Sequence, residues 1–136
     1  MRPFLGFLIF LEGMVMMERE FTCDANGLLA AQQFVASCCD EPKPAIVFDE
    51  LASNIVRCSG ADHFSVGIER RENVLAMRFV DNGKPFDPTL EAPEPDVMAS
   101  LEDRKIGGLG IFMVRKMSKS LAYERCNGCN ILSLTL

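Results

Sequence analysis

The chain is 136 residues long, enough for one compact core and short for two, since single domains commonly hold about 100 to 200 residues. Its composition, 49% hydrophobic and 24% charged, is that of a globular protein and excludes a disordered or fibrous chain. A formal charge of −5 with no Lys/Arg-rich run lacks the electrostatic footprint of nucleic-acid binding, which leaves a protein or a small molecule as the expected partner.

Residues 1–16 read as an apolar N-terminal extension. The run MRPFLGFLIFLEGMV resembles a signal peptide, but no small-x-small cleavage site follows and Glu12 interrupts it. It is also shorter than the roughly 20 apolar residues of a membrane span. Met14, Met16 and Met17 offer later starts, so an upstream-extended start codon is one account of it. An apolar run of this kind is expected to pack against something, and a second copy of the chain, giving a homodimer, is one candidate.

Residues 17–136 read as one domain. Glu18 to Cys23 alternates as a first strand, and Asp24 is placed to cap a helix running from Ala25 to about Cys39, with Leu28, Leu29, Ala31, Phe34, Val35 and Cys38 at spacings of three and four. Glu41-Pro42-Lys43-Pro44 reads as a connection, and Ile46, Leu51, Ile55 and Cys58 place a second helix over Ala45 to about Cys58. Phe64, Val66 and Ile68, then Leu75, Met77 and Phe79, alternate around a polar turn, which predicts an antiparallel pair. The segment from Asp81 to Ile106 holds four of the seven prolines and is too long and polar for an ordinary connection, which predicts a functional lid. A third helix is expected from Leu109 to about Ser118, and strands over Ser120–Arg125 and Asn130–Leu136 close the chain. Five strands and three helices make an α+β fold, a two-layer sandwich with a mostly antiparallel sheet and the helices on one face.

Six cysteines in so short a chain would suit a secreted disulfide scaffold, but the core is large enough without them, and they read as thiols of a reducing cytoplasm. Cys126-Asn127-Gly128-Cys129 has the spacing of half a zinc knuckle. No second pair matches it, and Asn-Gly between two apolar runs is the stronger signal, for a hairpin. His63, the only histidine, reads as structural, and Met77, Met113 and Met117 sit at core spacings.

Three segments carry chemistry. Glu50 and Asn54 lie four apart on the second helix and Arg57 three further on, so a carboxylate, an amide and a cation share one face, although exposed helices often carry this trio by chance. Asp81-Asn82-Gly83 ends a strand. There a fixed carboxylate could accept a hydrogen bond from an exocyclic amine, and a glycine would let a flat base approach. Gly107, Gly108 and Gly110 around Leu109 open a helix, where free backbone N–H groups favour phosphate.

The order and spacing of these segments carry a resemblance. FDELASNIVR, VDNGKPFDP and IGGLGIFMVRKM are similar to the N, G1 and G2 boxes of the ATPase superfamily of gyrase, heat-shock chaperones, histidine kinases and mismatch-repair proteins. Within it the chain from about Met17 to Leu136 most resembles the anti-sigma-factor serine/threonine kinases. The resemblance implies the ATP-binding fold of that superfamily, with ATP and Mg²⁺ as cofactors. It makes Glu50 the general base, Asn54 the magnesium ligand and Arg57 a phosphate contact. Asp81 would read the adenine amino group and Gly83 would lie beneath the base. Residues 88–106 would form the lid, with Arg104 and Lys105 on the phosphates, and Gly107, Gly108, Leu109 and Gly110 would supply backbone N–H groups to them. It further implies a sigma factor and an anti-sigma-factor antagonist as partners. Near the final strand the family often carries a threonine that helps hold the adenine, and here Asn130 stands about there, beside Cys129. Two activities remain open: a cytoplasmic protein kinase that phosphorylates an antagonist and sequesters a sigma factor, or a non-catalytic switch in which ATP sets partner choice. A third reading keeps the boxes without nucleotide binding.

Overall fold

The computed structural model describes residues 7–11, 14–91 and 108–136. Among them the chain runs β1 (Phe7–Leu11), β2 (Met14–Thr22), α1 (Ala25–Cys38), α2 (Pro42–Cys58), β3 (His63–Arg71) and β4 (Val74–Asp81). A short α3 (Pro88–Glu91), then α4 (Gly108–Met117), β5 (Ser120–Cys126) and β6 (Cys129–Thr135) follow. The strands form one six-stranded sheet in the order β1-β2-β3-β4-β6-β5, antiparallel at every pairing. The expected α+β sandwich is present, with one strand more than the sequence indicated. Phe7–Leu11 and Met14–Met16, read as part of an extension, are sheet strands: β1 pairs along β2 from Phe7↔Glu18 to Leu11↔Met14.

Each element follows from local chemistry. Asp24 sits in extended conformation before α1 and accepts a hydrogen bond from Gly27 N–H at 2.8 Å, satisfying one of the orphan donors of the first turn. The α2 helix begins three residues before the expected Ala45 because Pro42 and Pro44 fall in its first turn, where a missing N–H costs nothing and a fixed φ helps. Asn127 and Gly128 both take positive φ, 52° and 77°, the two-residue turn whose twist matches its flanking strands. Cys126 and Cys129 face each other across that turn as free thiols.

The core lies between the sheet and the helices. Ala31, Phe34 and Val35 of α1, Val47, Phe48, Leu51 and Ala52 of α2, and Ile111 and Val114 of α4 cover Phe64, Val66, Met77, Phe79, Leu132 and Leu134. Phe48 stacks on Phe79 with ring centroids 6.1 Å apart, and each such buried side chain contributes about 1.5 to 3 kcal/mol. Some expected core positions lie outside. Leu29, Ile46 and Met113 are 54%, 47% and 44% exposed, and Cys38 and Cys58 are surface thiols, because the buried stripes are narrower than their periodic pattern.

Hydrogen bonds from Gly27 N–H first, and then from the Thr22 hydroxyl, hold the Asp24 carboxyl below its ordinary range. Its folded pKa is depressed, so it adds stability above the unfolded-state value that is lost as pH falls through the folded one. Asp24→Asn, which keeps a capping oxygen, is expected to melt close to wild type at neutral pH and to lose less of its Tm on acidification to about pH 3. Melting curves across that range would reveal equal acid sensitivity if the carboxylate contributes nothing.

Candidate functional site

Two contacts of α2 bring the distant segments together. Its middle meets the start of α4: a β-carbon placed on Gly110 would collide with the Glu50 carboxylate, so the missing side chain is the space that Glu50 fills. Its C-terminal end meets the loop after β4. Lys84 N–H donates to the Ser59 carbonyl at 3.0 Å, and a β-carbon on Gly83 would strike that same carbonyl. From Glu50 to Ser59 the helix rises about 13 Å, so one helix spans from the glycine-rich helix start to the Asp81 turn, a distance on the scale of a nucleotide.

Glu50 is half-buried, and its carboxylate has no hydrogen bond or ion pair to a described residue. One turn on, Asn54 Oδ1 accepts from Arg57 Nη2 at 2.7 Å, and Arg57 Nε also donates to the Ser53 carbonyl at 3.3 Å. An amide oxygen has two acceptor sites, so this bond still leaves one free for a cation. Gly108, Leu109 and Gly110 form the first turn of α4, whose leading N–H groups have no intrahelical acceptors. The helix is held by Ile111 and Val114 in the core. Arg104, Lys105, Gly107 and the lid beyond residue 91 lie outside the described residues.

At the other end, Asp81 is 6% exposed at the last position of β4. Its Oδ1 accepts from Gly83 N–H at 2.9 Å and from Asn130 Nδ2 at 3.0 Å, while Oδ2 has no partner among the described residues. The sheet explains this placement. Across β4, β6 and β5 the rows Met77–Leu134–Leu121 and Phe79–Leu132–Tyr123 are succeeded, one pleat further, by Asp81–Asn130–Arg125. The first two rows lie under the helices, and the third continues the same face as a polar rim where the helix layer ends. The Gly83 contact also changes how that glycine is understood: its lack of a side chain serves the approach of Ser59, whatever else lies above it.

Sequence reasoning missed Tyr123, Arg125 and Ser59, and singled out Asn130 without its network. Asn130, read as a departure at an adenine contact, bonds to five groups around it. The missing signal was strand order, because only once β6 is known to lie between β4 and β5 do Asp81, Asn130 and Arg125 fall into register.

Residues 26–136 match the family model described as histidine kinase-like ATPase domain. The chain belongs to that family. It is also 36% identical over 93 residues to the serine/threonine-protein kinase BtrW of Bordetella bronchiseptica (strain ATCC BAA-588 / NCTC 13252 / RB50). That alignment covers 64% of this chain and 63% of the relative, so it spans less than two thirds of the curated protein. Among the described residues of this ATPase domain, no helix is long and apolar enough to cross a membrane.

Proposed function

We propose that this histidine kinase-like ATPase domain binds Mg·ATP along α2 and transfers the terminal phosphate to a serine or threonine of an antagonist protein, sequestering a sigma factor when free of it. The observation that carries the reading is the Glu50 carboxylate, without a hydrogen bond or ion pair among the described residues, set against Gly110 at the start of α4. It puts a base beside the helix terminus best suited to phosphate. The kinase name of the 36% identical relative supports the same chemistry.

In this account Asp81 Oδ2 accepts from the exocyclic amine of the base, and the N–H groups of Gly108 to Gly110 hold phosphate oxygens, with Gly107, Arg104 and Lys105 adding to them. Glu50 takes the proton of the attacking hydroxyl as its oxygen forms the bond to phosphorus and ADP leaves. Asn54 Oδ1 would hold Mg²⁺, which would supply neutralising charge to the phosphates. Arg57 keeps the amide of Asn54 oriented and contributes a second positive charge. The domain would work in the cytoplasm, where its free cysteines suit a reducing medium.

Transfer of labelled phosphate from ATP to a serine-bearing antagonist tests the proposal. Incorporation that needs both Mg²⁺ and the wild-type domain supports it, whereas ATP-dependent partner binding without incorporation would replace the kinase with a switch. Asn54→Ala is expected to bind ATP with little dependence on magnesium. An unchanged magnesium titration in calorimetry would remove Asn54 from the metal site.

A further inference from the structure

Asn130 is 6% exposed and every polar valence of its side-chain amide is used. On one side Nδ2 donates to Asp81 Oδ1 at 3.0 Å and to the Lys84 carbonyl at 2.8 Å. On the other, Oδ1 accepts from Tyr123 Oη at 2.6 Å, Arg125 Nη1 at 3.1 Å and Phe86 N–H at 3.2 Å. Arg125 Nη1 also donates to the Gly83 carbonyl at 2.8 Å. The amide can sit only one way round, since a flip would set oxygen against a carboxylate and a carbonyl and nitrogen against three donors. No other side chain of this length serves both sides: aspartate has no donor, and threonine has a single O–H.

With both donors on Oδ1, Asp81 cannot rotate, and Oδ2 alone is presented to a ligand. Asn130 has no valence left for a base. We propose that Asn130 is a positioning residue that sets the base specificity of the site: by clamping Oδ1 of Asp81 it commits Oδ2 to a purine carrying a 6-amino group and against one carrying a 6-oxo group. This rests on the ATP reading above. A fixed carboxylate facing a 6-oxo group sets acceptor against acceptor without relief, and buried polar groups left unpaired in this way are what separates near-identical ligands. Without Asn130 the carboxylate is held by the Gly83 N–H alone, can turn about that single bond and tolerates either base.

The test is the ratio of ATP to inosine triphosphate affinity, measured by calorimetry with Mg²⁺, since the two bases differ only in the 6-substituent and in the hydrogen that the 6-oxo form carries on the adjacent N1. Wild type is expected to favour ATP by about tenfold or more, the range of one hydrogen bond to a charged group. Asn130→Ala is expected to lose most of that preference. Asn130→Asp keeps the shape and the three bonds to Oδ1 but turns the donor into a second carboxylate against Asp81. It is expected to lose the preference near pH 8 and regain ATP affinity on acidification, when a proton between the two carboxyls restores a donor. The groups facing it are Asp81 from β4 and Tyr123 and Arg125 from β5. Proportional weakening of both nucleotides, or melting of both variants before binding can be read, would overturn the proposal in favour of a purely structural role. Wild-type binding of ATP without preference would remove Asp81 as the reader of the base, and no binding of either nucleotide would remove the ATP reading itself. Both results sink the proposal too, and the wild-type control tells them apart.

Discussion

Glu50→Gln is expected to slow phosphate transfer by about 10²- to 10⁴-fold, the usual worth of a general base, while Mg·ATP affinity stays close to wild type. The amide has the shape of the carboxylate, so the fit against Gly110 is retained and the start of α4 stays where it is. Nothing else in the described structure depends on the charge, because the carboxylate has no hydrogen bond or ion pair there to lose. What disappears is only the capacity to accept a proton. Single-turnover transfer from labelled ATP, with affinity measured in parallel, separates these effects, and transfer at the wild-type rate would mean that Glu50 is not the base.

Asp81→Asn is expected to weaken ATP binding by about 1.5 to 3 kcal/mol, or roughly 10- to 150-fold. The new amide oxygen can still accept from Gly83 N–H and Asn130 Nδ2, so the turn after β4 keeps its shape. The second atom changes from acceptor to donor and meets the donating amine of the base, which inverts the contact without opening a cavity. A melting temperature near that of wild type with the affinity lost would place the effect at the base. Equal affinity would show that Asp81 does not read it.

Much of this architecture was legible in the residues. The Asn127-Gly128 turn, the Asp24 cap and the spacing of Glu50, Asn54 and Asp81 depend on short-range chemistry that a sequence carries openly. Helix positions were read less well where they depended on tertiary contact: Ile46 and Cys58 are in phase with apolar residues yet remain outside, because α2 buries Val47 and Phe48 instead. The strand at Phe7–Leu11 was hidden by uniform apolarity. A run without alternation cannot distinguish an edge strand from an extension. The Asn130 network was hidden more deeply, since its members are separated by as many as 49 residues and meet only through the order of the strands.

In the proposed function the face of α2, the Asp81 turn and the start of α4 together form one Mg·ATP site. Calorimetric titration of the wild-type domain with ATP, with and without Mg²⁺, tests it most directly. One nucleotide is expected to bind per chain, more tightly with Mg²⁺ and more weakly in Asp81→Asn. Absence of binding at millimolar Mg·ATP by a folded wild-type domain would contradict it.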